Sequence, residues 1–243
     1  MDLSTIDWHG KVASMTFFAG CNFRCPYCQN ASLIPSESGR EVDTGDIFRR
    51  IERNADMIDA VGFSGGEPCL QVEALRDLAR RARSIGLKVF LNTNGSVSSA
   101  VARLLGEGLL DYVALDIKAP LRPESYGEVT GITHMTDDVT RNVKATLDEC
   151  IETKVAFEAR TTIVPNLIDQ EEQIEELARD IAGVQLYVLQ QFSPEGNLLD
   201  QSFKNLAPPN RERLIRLAKA AAQCGVGEVR IRTRDRGEEK ITP

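Results

Sequence analysis

The sequence predicts an α/β fold, a partial (β/α)6-type TIM barrel with parallel strands inside and helices outside. Three observations carry this expectation. Short apolar runs alternate with amphipathic helical patterns from end to end. The clearest strands are apolar on one face only. No linker or low-complexity tract divides the 243 residues, which read as one domain, 1–243.

The strands are expected at 11–18, 59–64, 87–92, 111–117, 154–164, 185–192 and 227–232, and the helices at 44–57, 71–84, 97–106, 137–149, 169–182 and 209–223. The strongest helical pattern sets Ile174, Leu177, Ala178, Ile181 and Ala182 on one stripe, with Asp169 as the expected N-cap. Another gathers Val72, Leu75, Leu78, Ala79 and Ala82, leaving Arg80, Arg81 and Arg83 mostly outside. Residues 119–136 and 193–208 lack pattern and are expected to border the mouth of a site.

Strand polarity decides between a doubly wound sheet and a barrel. A strand sandwiched between two helical layers is apolar on both faces. Here Val113, Leu115 and Ile117 oppose Ala114 and Asp116, while Val155, Phe157, Ala159 and Ile163 oppose Ala156, Glu158, Arg160 and Thr162. Phe90, Asn92 and Asn94 likewise oppose Leu87, Val89 and Leu91. Helices therefore cover one side, and the polar faces line a wet interior.

At 42% hydrophobic and 27% charged residues, the composition is that of a globular chain. A formal net charge of −7 and a pI near 5.1 argue against general nucleic-acid binding, which needs a basic footprint. Met1–Asp7 lacks the basic and apolar regions of a signal peptide, and no apolar run approaches the roughly 18 residues of a membrane span. The expectation is a cytoplasmic protein, in which six cysteines serve metal or redox chemistry rather than disulfides.

Directly after the first strand comes Gly20-Cys21-Asn22-Phe23-Arg24-Cys25-Pro26-Tyr27-Cys28-Gln29-Asn30. Three thiolates at CxxxCxxC spacing suit an iron–sulfur cluster or zinc. Closed sites of either kind usually take four ligands. Cys69, Cys150 and Cys224 are isolated and read as small core residues, and only His9 and His134 are available besides. A zinc knuckle would have to recruit Cys69 or His9; a four-iron cube can instead leave one iron open. His134 reads as a solvated loop residue.

The cysteine segment, with Tyr27 before its third cysteine, resembles the signature of the radical S-adenosylmethionine (SAM) superfamily. The resemblance implies that Cys21, Cys25 and Cys28 hold a [4Fe–4S] cluster as metal ligands and catalytic centre. It implies that SAM chelates the open iron and is cleaved to methionine and a 5′-deoxyadenosyl radical, with Tyr27 near the adenine.

Other strand ends fit this resemblance. Ser64-Gly65-Gly66-Glu67-Pro68 closes the second strand, where a parallel barrel presents its chemistry, and adjacent glycines let backbone approach a ligand closely. By itself it is a plain strand-to-helix turn; the resemblance makes Gly65, Gly66 and Glu67 contacts for the SAM amino group. Asn94, in Asn92-Thr93-Asn94-Gly95, is a SAM contact or part of a turn. Asp116 and Lys118 resemble a D-x-K pattern working close to SAM, with a structural ion pair as the alternative. Arg160 can grip the SAM carboxylate with two hydrogen bonds or pair with Glu158. Gln190 and Gln191 are weaker candidates, because which of them faces inward is ambiguous.

Residues 10–235 as a whole resemble the compact glycyl-radical-enzyme activases, most nearly the longer type of anaerobic ribonucleoside-triphosphate reductase activating protein. This implies a glycyl radical enzyme as partner, anaerobic ribonucleotide reductase in particular, and flavodoxin or ferredoxin as reductant. One departure is Gln190-Gln191-Phe192, where pyruvate formate-lyase activases carry a histidine. A small-molecule radical SAM enzyme such as 7-carboxy-7-deazaguanine synthase is the runner-up, and an iron–sulfur electron carrier is the alternative from another class.

Overall fold

The computed structural model describes residues 2–242. Its strands are β1 (Asp2–Ser4), β2 (Ala13–Phe18), β3 (Ala60–Gly65), β4 (Lys88–Thr93), β5 (Tyr112–Asp116), β6 (Ala156–Ile163), β7 (Leu186–Gln191), β8 (Glu228–Thr233) and β9 (Gly237–Ile241). The helices are α1 (Thr44–Glu52), α2 (Val72–Ser84), α3 (Ser98–Gly106), α4 (Pro123–Thr130), α5 (Thr136–Thr153), α6 (Glu171–Asp180) and α7 (Arg211–Ala222).

All nine strands belong to one sheet whose spatial order equals chain order. β2 to β8 run parallel, while β1 and β9 are antiparallel to their neighbours. A doubly wound sheet reverses its order at a switch point; this one never does, so each crossover advances the sheet around the same interior. The loops after β2 and β7 show the curl. They belong to strands five positions apart, about 24 Å on a flat sheet. Yet Gln29 Nε2 donates to the Ser193 carbonyl at 3.1 Å, the Asp200 amide donates to the Pro26 carbonyl at 2.8 Å, and Asn30 bridges Asn197.

Period-two alternation sorts the side chains. On the outer face Val61, Phe63, Val89, Leu91, Val113 and Leu115 are fully buried, covered by stripes such as Leu75, Leu78 and Ala82 of α2. From β3 to β6 the partners across the ladder on the other face are Gly62, Phe90, Tyr112, then Asn92, Ala114, Glu158, then Asp116 and Arg160. The lower interior is apolar: Ala13, Met15, Ala60 and Phe90 pack with Trp8 and Tyr112, and Trp8 stacks on Tyr112 at 5.1 Å. The interior is thus plugged below and polar above.

Several elements differ from expectation. The patternless stretch 119–136 contains α4, which buries Tyr126, Val129 and Thr130 without a continuous apolar stripe. β1 and β9 were not expected. The helix expected at 44–57 stops at Glu52, followed by a separate 3-10 turn at Ala55–Met57. Asp169 does not cap α6: Gln170 is the N-cap, in a reciprocal box with Gln173, and the Asp169 carboxylate takes a hydrogen bond from Gln170 Nε2 at 2.6 Å.

Gly62 shows how tight the plug is, since a Cβ there would overlap the Phe90 ring and Met15 Sδ. Gly62→Ala should lower the unfolding free energy by about 1–3 kcal/mol, the usual cost of overpacking. A urea midpoint equal to wild type would show that the plug has room.

Candidate active site

The cysteine loop has no regular structure, so its shape comes from hydrogen bonds to three neighbours. Gly20 N and Cys21 N donate to the Leu33 and Ile34 carbonyls at 2.8 and 3.0 Å. Glu67 N donates to the Gly20 carbonyl at 2.8 Å, and Arg24 N to the Thr130 carbonyl of α4 at 2.8 Å. The Cys28 amide closes a turn onto the Cys25 carbonyl at 3.0 Å. Arg24 Nη1 bonds the Cys21 and Phe23 carbonyls at 2.7 and 2.9 Å, and Phe23 packs edge-on against Tyr126. Residues 119–136 therefore brace the loop from behind rather than lining the site.

All three cysteines line one cavity of about 360 Å³ at the C-terminal ends of the strands. Ser64 and Gly65 of β3, Asn92 and Thr93 of β4, Asp116 of β5, Arg160 and Thr162 of β6, and Gln190 and Gln191 of β7 complete it from the sheet. Burial raises all three thiol pKa values, that of Cys25 to about 12. Metal must therefore displace protons to bind here. The Phe23 amide donates to Cys21 Sγ at 3.4 Å, a hydrogen bond that favours the thiolate.

The donor set fits a cube better than a zinc ion. Among the described residues no three His, Cys, Asp or Glu side chains converge as ligands of one ion. Cys69, one fourth ligand a zinc site would need, is buried beside Thr93 at 3.7 Å and does not line the cavity. A cube takes one thiolate on each of three irons, which suits three cysteines spaced around one wall.

A family model of the radical SAM superfamily matches residues 15–181. The chain belongs to the radical SAM superfamily. Members of it use a [4Fe–4S] cluster and SAM. A Methanocaldococcus jannaschii protein named as a candidate glycyl-radical enzyme activating enzyme is 36% identical over 233 residues, covering 96% of this chain and 94% of its own. The pyruvate formate-lyase 1-activating enzyme of Escherichia coli K12 is 27% identical over 243 aligned residues, covering 91% of this chain and 92% of its own. The chain is thus an enzyme of the glycyl-radical-enzyme activating type. Among solved structures, a radical SAM methyltransferase from Sphaerobacter thermophilus superposes with a TM-score of 0.70 at 18% identity, covering 93% of this chain and 67% of its own; it shares the fold.

The radical SAM residues expected from sequence fall into two groups. Cys21, Cys25, Cys28, Tyr27, Gly65, Gly66, Asn94, Asp116, Lys118 and Arg160 all line the cavity; Glu67 does not. Glu67 is fully buried, accepting from Cys69 N at 2.9 Å, Thr93 Oγ1 at 2.8 Å and Asn94 N at 2.7 Å. Burial pushes its carboxyl above the ordinary range, and those three hydrogen bonds partly offset the shift. Glu67 thus ties the end of β3 to the end of β4. The adjacent glycines are sterically required. At Gly65, φ is +123° and a Cβ would overlap the Phe18 backbone; at Gly66 it would overlap the Gly20 carbonyl.

Asn94 lines the cavity, but its amide is engaged: Nδ2 donates to Asn22 Oδ1 at 3.1 Å, and Oδ1 accepts from Ser96 N and Oγ at 2.9 and 2.6 Å. Asn22 Nδ2 closes the triangle on Ser96 Oγ at 2.8 Å. Lys118 Nζ meets Asp116 at 2.8 Å. Burial favours the neutral amine, but Asp116 overrides it and holds Lys118 protonated. Arg160 pairs through Nε with Glu158, through Nη1 with Asn92 Oδ1 at 3.1 Å and through Nη2 with the Asp7 carbonyl at 3.2 Å. The ion pair held as the alternative for Arg160 is therefore formed.

The glutamine ambiguity resolves by register. Gln190 pairs Thr162 and Arg232 across the ladder and faces inward. Gln191 is a tie, donating to the Pro209 carbonyl at 2.9 Å and accepting from Arg234 N at 3.0 Å. Asp7 and Ser64 were missed, and Thr162, which alternation already sets on the inner face beside Arg160, was not singled out as a site residue. Alternation along β3 could have found Ser64; nothing local marks Asp7. Tyr27 Oη is buried without a partner among the described residues.

Glu67→Ala should strand three donors and cost about 1–3 kcal/mol of stability, read as a lower urea midpoint, with SAM affinity of the reconstituted protein nearly unchanged. A large loss of SAM affinity at an unchanged midpoint would make Glu67 a ligand after all.

Proposed function

We propose that this chain, acting as one domain over 1–243, installs a glycyl radical on a partner enzyme in the cytoplasm. The partner is anaerobic ribonucleotide reductase, and flavodoxin or ferredoxin supplies the electron. The observation that carries this reading is the near end-to-end similarity to an activating-enzyme relative, 96% of this chain against 94% of that one. No helix among the described residues is long and apolar enough to cross a membrane.

In this reading Cys21, Cys25 and Cys28 would hold a [4Fe–4S] cluster through three of its irons, with SAM beside it in the same cavity. When bound, the cluster would supply the single electron for reductive cleavage of SAM, the chemistry needed to abstract hydrogen from a glycine Cα. The protein's own part is positioning. Gly65 and Gly66 admit backbone to the cluster side of the cavity, and the Lys118 ammonium and Asp116 face the same space. Thr162 and Gln190 make no side-chain hydrogen bond among the described residues, so their polar groups remain available to SAM or to the substrate backbone. Trp8 and Phe90 close the bottom against water.

Anaerobically reconstituted protein should hold about four irons and four sulfides and release 5′-deoxyadenosine from SAM on reduction. Cys25→Ala should abolish that release; unchanged turnover would reject the ligand assignment. With anaerobic ribonucleotide reductase present, electron paramagnetic resonance should show a glycyl-type doublet. SAM cleavage with no radical on the reductase, but conversion of a metabolite, would favour the small-molecule reading.

A further inference from the structure

Asn94 lines the cavity, yet both ends of its side-chain amide are spent on the protein. What it serves is Asn22, the residue after Cys21. Asn94 Nδ2 donates to Asn22 Oδ1 at 3.1 Å, Asn22 Nδ2 donates to Ser96 Oγ at 2.8 Å, and Ser96 Oγ donates to Asn94 Oδ1 at 2.6 Å. Around this ring each side chain donates once and accepts once, which is the full capacity of the Ser96 proton. Asn94 and Ser96 are buried, and the Asn94 amide N–H is itself held by Glu67 at 2.7 Å. Asn22 is exposed. A fixed, buried pair thus grips one exposed side chain of the cysteine loop.

The main chain explains why Asn22 needs the grip. Cys21 N donates to the Ile34 carbonyl, and the Cys21 and Phe23 carbonyls both accept from Arg24 Nη1. Arg24 N donates to the Thr130 carbonyl. The peptide group between Asn22 and Phe23 has no comparable tie. Its carbonyl has no partner among the described residues, and its N–H points at Cys21 Sγ, with Phe23 N 3.4 Å from the sulfur. Rotation of this one peptide plane would carry the N–H off the sulfur. The Asn22 side chain is what holds the plane in place.

We propose that Asn22, gripped by Ser96 and Asn94, is a positioning residue that sets the reduction potential of the cluster through the Phe23 N–H on the Cys21 sulfur. This rests on the cluster reading above. Hydrogen bonds to the sulfurs are among the terms that set the potential of an iron–sulfur cluster. An N–H dipole aimed at a ligand sulfur favours the reduced form, which carries one more negative charge, and so raises the potential. The step it governs is electron entry: the carrier is oxidised by one electron, the cluster is reduced by one, and no atom moves. The ring contains no cysteine atom, so altering it changes the surroundings of the sulfur and leaves the ligand set intact.

The test is a redox titration of the anaerobically reconstituted holoenzyme, followed by electron paramagnetic resonance. Asn22→Ala should lower the midpoint potential by about 59 mV, a tenfold change in a one-electron equilibrium. Hydrogen exchange of the Phe23 amide should quicken about tenfold in the same variant. Ser96→Ala should do likewise, and the double variant should add little, because both act through one ring. Gln71→Ala removes a different tie on the same segment, the Nε2 bond to the Ala19 carbonyl at 2.7 Å, and should leave the potential unchanged. A wild-type potential in Asn22→Ala overturns the proposal whatever happens to the Ser96 variants, since truncating an exposed side chain spares the core. Equal shifts in Asn22→Ala and Gln71→Ala overturn it as mere loosening of the loop. So does a shifted potential with unchanged exchange at Phe23, or full additivity in the double variant. If the wild type takes up zinc, or a cluster that cannot cleave SAM, the cluster reading itself fails and the tuning falls with it.

Discussion

The site depends on holding an irregular loop rigid. Ten residues from Cys21 to Asn30 carry three thiols and form no helix or strand of their own apart from a single bridge at Asn30. Their backbone groups must be satisfied from outside, because a buried unpaired amide or carbonyl costs as much as a lost hydrogen bond. The 31–34 segment, the β3 turn and the end of α4 each supply such partners. None of these tethers uses a thiol. The scaffold that positions the cysteines is therefore independent of their protonation, and metal arrives at a site already shaped.

The glycines and Glu67 belong to the same constraint. The β3 turn can approach the cysteine loop closely enough to bond it only without side chains at Gly65 and Gly66. Gly131, at φ +68°, does the same on the α4 side, where a Cβ would overlap the Arg24 carbonyl. Glu67 fixes the β3 turn to β4 through the Asn94 amide, and the Asn94 side chain returns to Asn22 within the cysteine loop. A closed circuit of hydrogen bonds thus runs from the loop through two strand ends and back. Such a circuit shares strain among its members, so displacement at any one position reaches the thiols.

Much of this was legible in the sequence, and the reasons are local. Strand faces follow a period of two, so the sequence alone places Asp116, Glu158, Arg160 and Asn92 in an interior. The cysteine spacing and the Gly65-Gly66 pair are short-range patterns too. The parts that were not legible are set by distant partners. α4 includes Gly127 and buries only scattered residues, so it shows no stripe; its role appears once Thr130 meets Arg24. β9 is charged at three of five positions because it is an edge, which hides it from an apolar pattern. Sequence placed Glu67 and Asn94 at strand ends but could not say that their hydrogen bonds close on each other rather than on a ligand.

The interior is layered, and the layers explain why so polar a barrel is stable. At the bottom Trp8, Phe90, Tyr112 and Met15 form an apolar plug. Above it Glu158 pairs with both Arg160 and Arg232, and Arg232 passes the charge to Glu238. Breaking a buried pair leaves an uncompensated charge at a cost of about 3–5 kcal/mol, so these side chains are locked in place and serve as an oriented floor. Only at the top do polar groups keep spare capacity, at Thr162 and Gln190, beside Lys118 and Asp116. The gradient from apolar through fully paired to partly unspent polar groups directs ligand binding to one end of the barrel. That end is the one where the cysteine loop sits.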